Sequence, residues 1–159
     1  MTPDQVRGML YGLAVGDALG VPYEFKGRGT FRCDGMAGHG THNRTAGTWS
    51  DDTAMTLATL HSLIENDWNV DPTDLLARYR NWLDAGAYTP DGEVFDCGLT
   101  CATAIRSGRG STGERSQGNG SLMRIAPLAI RHQPDEAIRA VSALTHAHPH
   151  NMDMCVPQV

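Results

Sequence analysis

Every periodic segment of this sequence repeats its apolar residues at three and four positions, and none alternates apolar with polar over the length of a strand. That pattern confines the chain to helices packed on helices. Ala54, Leu57, Ala58, Leu60, His61 and Ile64 define one helix, from about Asp51 to Asn66. Asp71 before Pro72, with Leu75, Leu76, Tyr79, Trp82 and Leu83 following and Gly86 closing, defines another with start and stop signals in place. "CGLTCATAIRSG" gives a shorter one ended by Gly108, with Cys97 and Cys101 on one face. Pro134 opens a last helix through Ala143 to His146, and Pro127 in "LMRIAPLAIRH" marks either a kink or a helix start.

The opening "TPDQVRGMLYGLAVGDALG" carries the signature of a capping box, with Thr2 as N-cap, Pro3 at the first helical position and Gln5 three residues after the cap. Gly8, Gly12 and Gly16 recur every fourth position and form a flat ridge. Each costs about 1 kcal/mol against alanine unless another backbone packs on it, so the ridge predicts a tightly packed central helix. Between the helices run two glycine-rich segments without periodicity, from Lys26 to Trp49 and from Gly108 to Ser121. The first is longer than an ordinary connection, a length that marks functional or disordered segments, and reads as a mobile surface loop.

The length of 159 residues fits one domain, and a formal charge of −5 without a basic cluster excludes a nucleic-acid backbone as partner. No stretch is apolar enough to span a membrane, and Met1 to Leu10 lacks an export signal, so the expected compartment is cytoplasmic. The four cysteines form neither a metal pair nor a disulfide framework and are expected as thiols.

Four constellations could carry chemistry. Ser50, Asp51 and Asp52 in "GTWSDDTAM" stand at the head of a predicted helix, where they either cap it or present consecutive oxygens to a hard cation such as Mg²⁺. Asp17 and Glu24 in "GDALGVPYEF" flank the helix stop at Gly20, with Asp17 suited to receive backbone amides and Glu24 either solvated or functional. "QGNGSLMR" is a glycine turn whose N–H groups suit a phosphate. His146, His148 and His150 alternate, which suits zinc only on a strand, and the segment follows a helix; it reads as a fraying end.

Taken in order, "MLYGLAVGDALGVPYEF", "GTWSDDTAM", "FDCGLTCATAI", "GNGSLMRIAPLAI" and "LTHAHP" resemble the ADP-ribosylglycohydrolase family, of the dinitrogenase reductase-activating type, from Arg7 to about Pro149. The resemblance implies an all-α fold, a compact orthogonal multi-helix bundle, with residues 1–159 forming a single partial domain. It implies a magnesium-dependent hydrolase that removes ADP-ribose from modified protein side chains. Ser50, Asp51 and Asp52 match the first metal triplet, Glu24 matches a mobile acidic residue near the metals, and Glu24 or Asp52 would accept the proton of a water. Gly118, Asn119, Gly120, Ser121, Met123 and Arg124 resemble the loop around the diphosphate and ribose, and His146 a residue lining that pocket.

The family's second metal motif, an Asp-x-Asp-Thr run, has no counterpart here. Of the two Mg²⁺ ions of the full-length family, at most one is then expected to be well held, and the chain reads as truncated. The expected partners are ADP-ribose or an ADP-ribosylated protein, together with either a second copy or a complementing C-terminal chain. The alternative reading is a non-catalytic ADP-ribose-binding or structural, crystallin-like remnant of the same fold.

Overall fold

The computed structural model describes all 159 residues, and its secondary structure is helical apart from two isolated bridges, His39 with Arg44 and Ser111 with His146. Six α-helices follow in order: α1 Pro3–Gly20, α2 Asp51–Glu65, α3 Pro72–Ala85, α4 Leu99–Ser107, α5 Asp135–Ala143 and α6 Pro149–Cys155. Short 3-10 turns occupy Val21–Tyr23, Leu122–Arg124, Ala126–Arg131 and Val156–Gln158. No helix is long and apolar enough to cross a membrane.

Local chemistry sets most boundaries. The Thr2 hydroxyl accepts from the Gln5 amide at 3.2 Å while the Gln5 side chain accepts from the Thr2 amide at 2.8 Å, closing the capping box. Asp71 accepts from the amides of Thr73 and Asp74 at the head of α3. Gly86 and Gly108 end α3 and α4 in the left-handed region, at φ 68° and 69°.

The axis of the bundle is α2, which buries nine of its fifteen residues. Its Ala54, Met55, Ala58 and Leu63 join Leu75, Tyr79 and Trp82 of α3, Cys101 and Ile105 of α4, Ile138 and Val141 of α5, and Ile125, Leu128 and Cys155 in one continuous core. The small residues on α2 let α3 approach closely, and the Thr59 hydroxyl meets the Tyr79 hydroxyl at 2.7 Å inside that contact.

The glycine ridge lies elsewhere. A Cβ at Gly8, Gly12, Gly16 or Gly20 would meet nothing within 4 Å, and Ala18 is the only buried residue of α1. The expectation of a tightly packed central helix fails because spacing reports that a smooth face exists, not which backbone covers it. Tyr11 and Val15 on the same helix are 70% and 47% exposed.

Other expectations shift for local reasons. Cys97 precedes α4 and therefore does not share a helical face with Cys101, although it packs against the core. Pro127 is the second residue of a 3-10 turn and kinks nothing, since it occupies the first turn, where its missing N–H costs no bond. Pro134 sits one position outside α5, as its N-cap. Beyond α5 the chain forms α6, capped by the His148 side chain accepting from the His150 amide at 3.2 Å, where a fraying end was expected. The 26–49 segment is tied down in part, by the Thr41 hydroxyl on the Glu24 carbonyl at 2.6 Å and by Arg44 on Asp91 and Glu93.

Because nothing meets their added methyl groups, Gly8→Ala and Gly12→Ala should each stabilise the chain by about 0.5–1 kcal/mol in chemical denaturation, through helix propensity alone. A loss of stability would place another backbone against the ridge.

Candidate active site

The head of α2 receives its cap from another helix. Ser50 has extended backbone and its own side chain caps nothing. Instead the Asp17 carboxylate, near the end of α1, accepts from the Ser50 amide at 2.9 and 3.1 Å and from the Thr53 amide at 3.0 Å. The same carboxylate accepts from both hydroxyls, Ser50 at 2.7 Å and Thr53 at 2.6 Å. With its first amides satisfied from outside, α2 has no need of Asp51 or Asp52 as caps, and both are available for other work.

Those two carboxylates are poorly solvated. Asp51 is 6% exposed, and burial, followed by the charges of Asp52, Asp96, Asp17 and Glu24, raises its pKa to about 8. Burial, then Asp17 and Asp96, raise that of Asp52 to about 6. The Ser50 hydroxyl stands 3.5 Å from Asp52 Oδ2.

A second group faces the first. Glu24 bonds His42 Nε2, and Asp96 Oδ1 lies 3.7 Å from the same nitrogen, so that ligand atoms of Glu24, His42 and Asp96 all fall within 4.8 Å of one another. The three form a cluster of the size and donor set that holds a metal ion. Burial, then a hydrogen bond with Asp96, raises the Glu24 pKa to about 7, against the opposing pull of His42. The imidazole is held between Phe25 and Phe95, with ring centroids 5.9 and 5.2 Å away. Asp96 itself sits at φ 54°, in the left-handed region that aspartate enters more readily than most residues, and its charge acts on Asp51 of α2.

Five carboxylates thus act on one another, and the sole ion-pair partner any of them has is His42. Such a concentration of oxygen donors fits a divalent cation: burial first, and then mutual repulsion, raises these carboxylate pKa values, and a bound cation would remove the repulsion.

A cavity of about 420 Å³ opens beside these acids, lined by Glu24, Asp51, Asp52 and Asp96 on one side and by Gly118, Asn119, Gly120, Met123 and His146 on the other. A neighbouring depression of about 610 Å³ shares Glu24, Asp52, Asn119 and Met123 with it and runs along Gly16 and Gly20 of α1. The glycine turn is locked in place. Thr56 of α2 donates to the Met123 carbonyl at 3.1 Å, and Asn151 of α6 donates to the Gly118 carbonyl at 2.9 Å. A Cβ at Gly120 would lie 2.5 Å from Cys101 Sγ and 2.7 Å from His146 Cε1, so only glycine fits.

The structure brings Glu24, Ser50, Asp51, Asp52, Gly118, Asn119, Gly120, Met123 and His146 together. Two residues of the same sequence run lie behind the wall instead. Ser121 is fully buried with its hydroxyl 3.6 Å from Cys155 Sγ, and Arg124, also fully buried, donates to the carbonyls of Gly120 and Val141 and to the Thr145 hydroxyl. Sequence reasoning did not single out His42 or Asp96. His42 sits in an aperiodic loop that offers no signal, whereas Asp96 belongs to "FDCGLTCATAI", whose match to the family was the one available clue.

A helical bundle with clustered carboxylates, relieved by a single imidazole, beside a glycine-walled cavity defines a class of site suited to a cation and a polar ligand. The chain belongs to the ADP-ribosylglycohydrolase family, whose sequence profile matches residues 2–158. It is 32% identical over 164 residues to the ADP-ribosylarginine hydrolase Tri1 of Serratia proteamaculans, covering 96% of this chain and 44% of that protein. Identity is also 32% to the ADP-ribosyl-[dinitrogen reductase] glycohydrolase of Rhodospirillum rubrum, over 96% of this chain and 55% of the relative. A solved structure described as an ADP-ribosylglycohydrolase-related protein complex superposes with a TM-score of 0.76 at 31% identity, over 94% of this chain and 51% of its own. The chain therefore spans about half the length of these relatives.

The raised carboxylate pKa values make a directional prediction for the cation-free protein. Folded Asp51 and Glu24 retain protons that the unfolded chain releases, so their contribution to stability declines as pH rises toward about 8 and about 7. His146, lowered from 6.5 to about 4, acts in the opposite sense but only below its unfolded value of 6.5. Between pH 6.5 and about 8 the melting temperature should fall, and Asp51→Asn should flatten that slope. A wild-type melting temperature that rises across this window would contradict the burial of these acids.

Proposed function

We propose that the chain is a partial ADP-ribosylglycohydrolase domain, residues 1–159, which binds magnesium and ADP-ribose and serves the hydrolysis of ADP-ribosylated protein side chains in the cytoplasm. The observation that carries this reading is the set of buried and half-buried carboxylates, with His42 as their one counter-charge, on one wall of a cavity whose other wall is a glycine turn. In this reading Ser50, Asp51 and Asp52 hold a Mg²⁺ ion, and Gly118, Asn119, Gly120, Met123 and His146 contact the ADP-ribosyl group. Ser121 and Arg124 serve it from behind, by fixing the turn. When bound, magnesium would orient ribose hydroxyls and polarise water.

The protein groups supply the rest. Cleavage breaks the bond from the anomeric carbon to the side-chain nitrogen or oxygen through an oxocarbenium-like state, and water adds hydroxide to that carbon. Asp52 or Glu24 accepts the water proton, which then passes to the leaving group. Glu24 is suited to this exchange because it already shares a hydrogen bond with His42 at the cavity edge. Asp51 is buried and Asp52 half-buried, which limits the access of bulk water to their oxygens.

The triplet supplies ligands for one ion, so a two-ion centre would need more, from the facing Glu24, His42 and Asp96 group or from a complementing chain matching the rest of the relatives' length. The open ridge of α1, running into the depression that contains Asp52, favours such a partner or a second copy. Purified protein should then elute as more than a monomer, whereas a well-behaved monomer at high concentration would count against it.

Calorimetry with ADP-ribose should show binding that requires Mg²⁺, and Asp51→Ala or Asp52→Ala should weaken it about tenfold or more. Undiminished binding in both variants would remove the triplet from the site. A turnover assay on ADP-ribosyl-arginine separates the catalytic reading from a non-catalytic, binding or crystallin-like one: binding without turnover, with a complementing chain supplied, selects the latter.

A further inference from the structure

His146 sits where the glycine turn, α5 and the cavity meet, and its two ring nitrogens face different worlds. Nδ1 lies 2.8 Å from the Thr145 hydroxyl in the interior. The Nε2 edge faces Gly118 and Gly120, whose missing side chains leave it open: a Cβ there would stand 3.9 and 3.4 Å from Nε2. Which nitrogen carries the proton decides whether the cavity meets a donor or an acceptor.

The interior settles it. Arg124 Nη1 is 2.8 Å from the Thr145 hydroxyl oxygen, and a guanidinium can only donate, so that oxygen accepts from Arg124. Thr145 is fully buried, so its own hydroxyl proton needs an acceptor, and His146 Nδ1 is the strong one within reach. Cys101 Sγ is close by but accepts only weakly. Nδ1 must then be bare, and the proton of the neutral ring resides on Nε2. Arg124 is itself held by the carbonyls of Gly120 at 2.6 Å and Val141 at 2.9 Å and by the face of Tyr79 at 4.8 Å, so the relay starts from a fixed point.

We propose that the buried Arg124–Thr145 pair locks His146 in the Nε2–H tautomer and makes it a fixed hydrogen-bond donor to an acceptor oxygen, hydroxyl or phosphoryl, of the ligand in the cavity. This rests on the reading of that cavity as an ADP-ribose site. Thr145 and Arg124 are positioning residues, acting on ligand only through the imidazole. Protonating His146 would put a second donor against Thr145 and a charge near Arg124, and burial and Arg124 accordingly hold its pKa down at about 4. The donor therefore persists unchanged through the neutral range. The Gly120 carbonyl shares the same Arg124 nitrogen, so the turn and the tautomer are set together.

Long-range proton–nitrogen NMR of the labelled chain, with the His146 signals identified by their loss in His146→Gln, tests this without any ligand. The expected spectrum shows His146 neutral with its proton on Nε2 at neutral pH. A proton on Nδ1, or an imidazolium, overturns the proposal. Thr145→Val should release the lock, mix the tautomers and weaken ADP-ribose about tenfold, the effect of one hydrogen bond, while Thr145→Ser restores both. Retention of tautomer and affinity in a folded Thr145→Val protein overturns it equally, and if that variant fails to fold the wild-type spectrum decides alone. Failure of the wild-type protein to bind ADP-ribose would instead overturn the reading of the cavity, leaving the tautomer to the spectrum.

Discussion

One carboxylate organises the site. Asp17 reaches from the end of α1 to the head of α2 and takes two amides and two hydroxyls, work that a residue at the cap position normally does for its own helix. Two consequences follow. The end of α1 is fixed to the central helix although the rest of α1 buries almost nothing. And Asp51 and Asp52 are relieved of capping, so they face a cavity with no counter-charge of their own. The Ser50 hydroxyl, giving its proton to Asp17, keeps its lone pairs for a ligand.

Like charges held in a low-dielectric setting are costly, and proteins keep them where a bound ion removes the cost. Here the repulsion spreads over Asp17, Glu24, Asp51, Asp52 and Asp96, with one imidazole as the only internal counter-charge. The opposite wall works by a different principle. Its glycine turn is shaped from behind by buried Arg124, whose cationic end is spent on carbonyls and a hydroxyl and never reaches the cavity. Acidic and cationic groups are thereby kept apart, although they stand on adjacent elements.

The sequence made the local features legible and left the long-range ones hidden. The capping box at Thr2, the Asp71 cap and the glycine stops at 86 and 108 involve neighbours along the chain, so residue type alone predicts them. The Ser50-Asp51-Asp52 triplet stood out for the same reason. His42 and Asp96 become part of the cluster only through folding, since eighteen residues separate His42 from Glu24. The ridge on α1 misled because its period is genuine while no backbone of this chain packs on it. Similarly, "GNGSLMR" disclosed the turn but not that Ser121 and Arg124 point inward, which depends on α5 and α6 packing behind it.

A crystal of the chain grown with Mn²⁺, as a visible substitute for Mg²⁺, offers the most direct trial. An anomalous peak bounded by the oxygens of Ser50, Asp51 and Asp52 is the predicted result. A peak confined to Glu24, His42 and Asp96, or none with Asp51 and Asp52 turned to bulk water, would contradict the account.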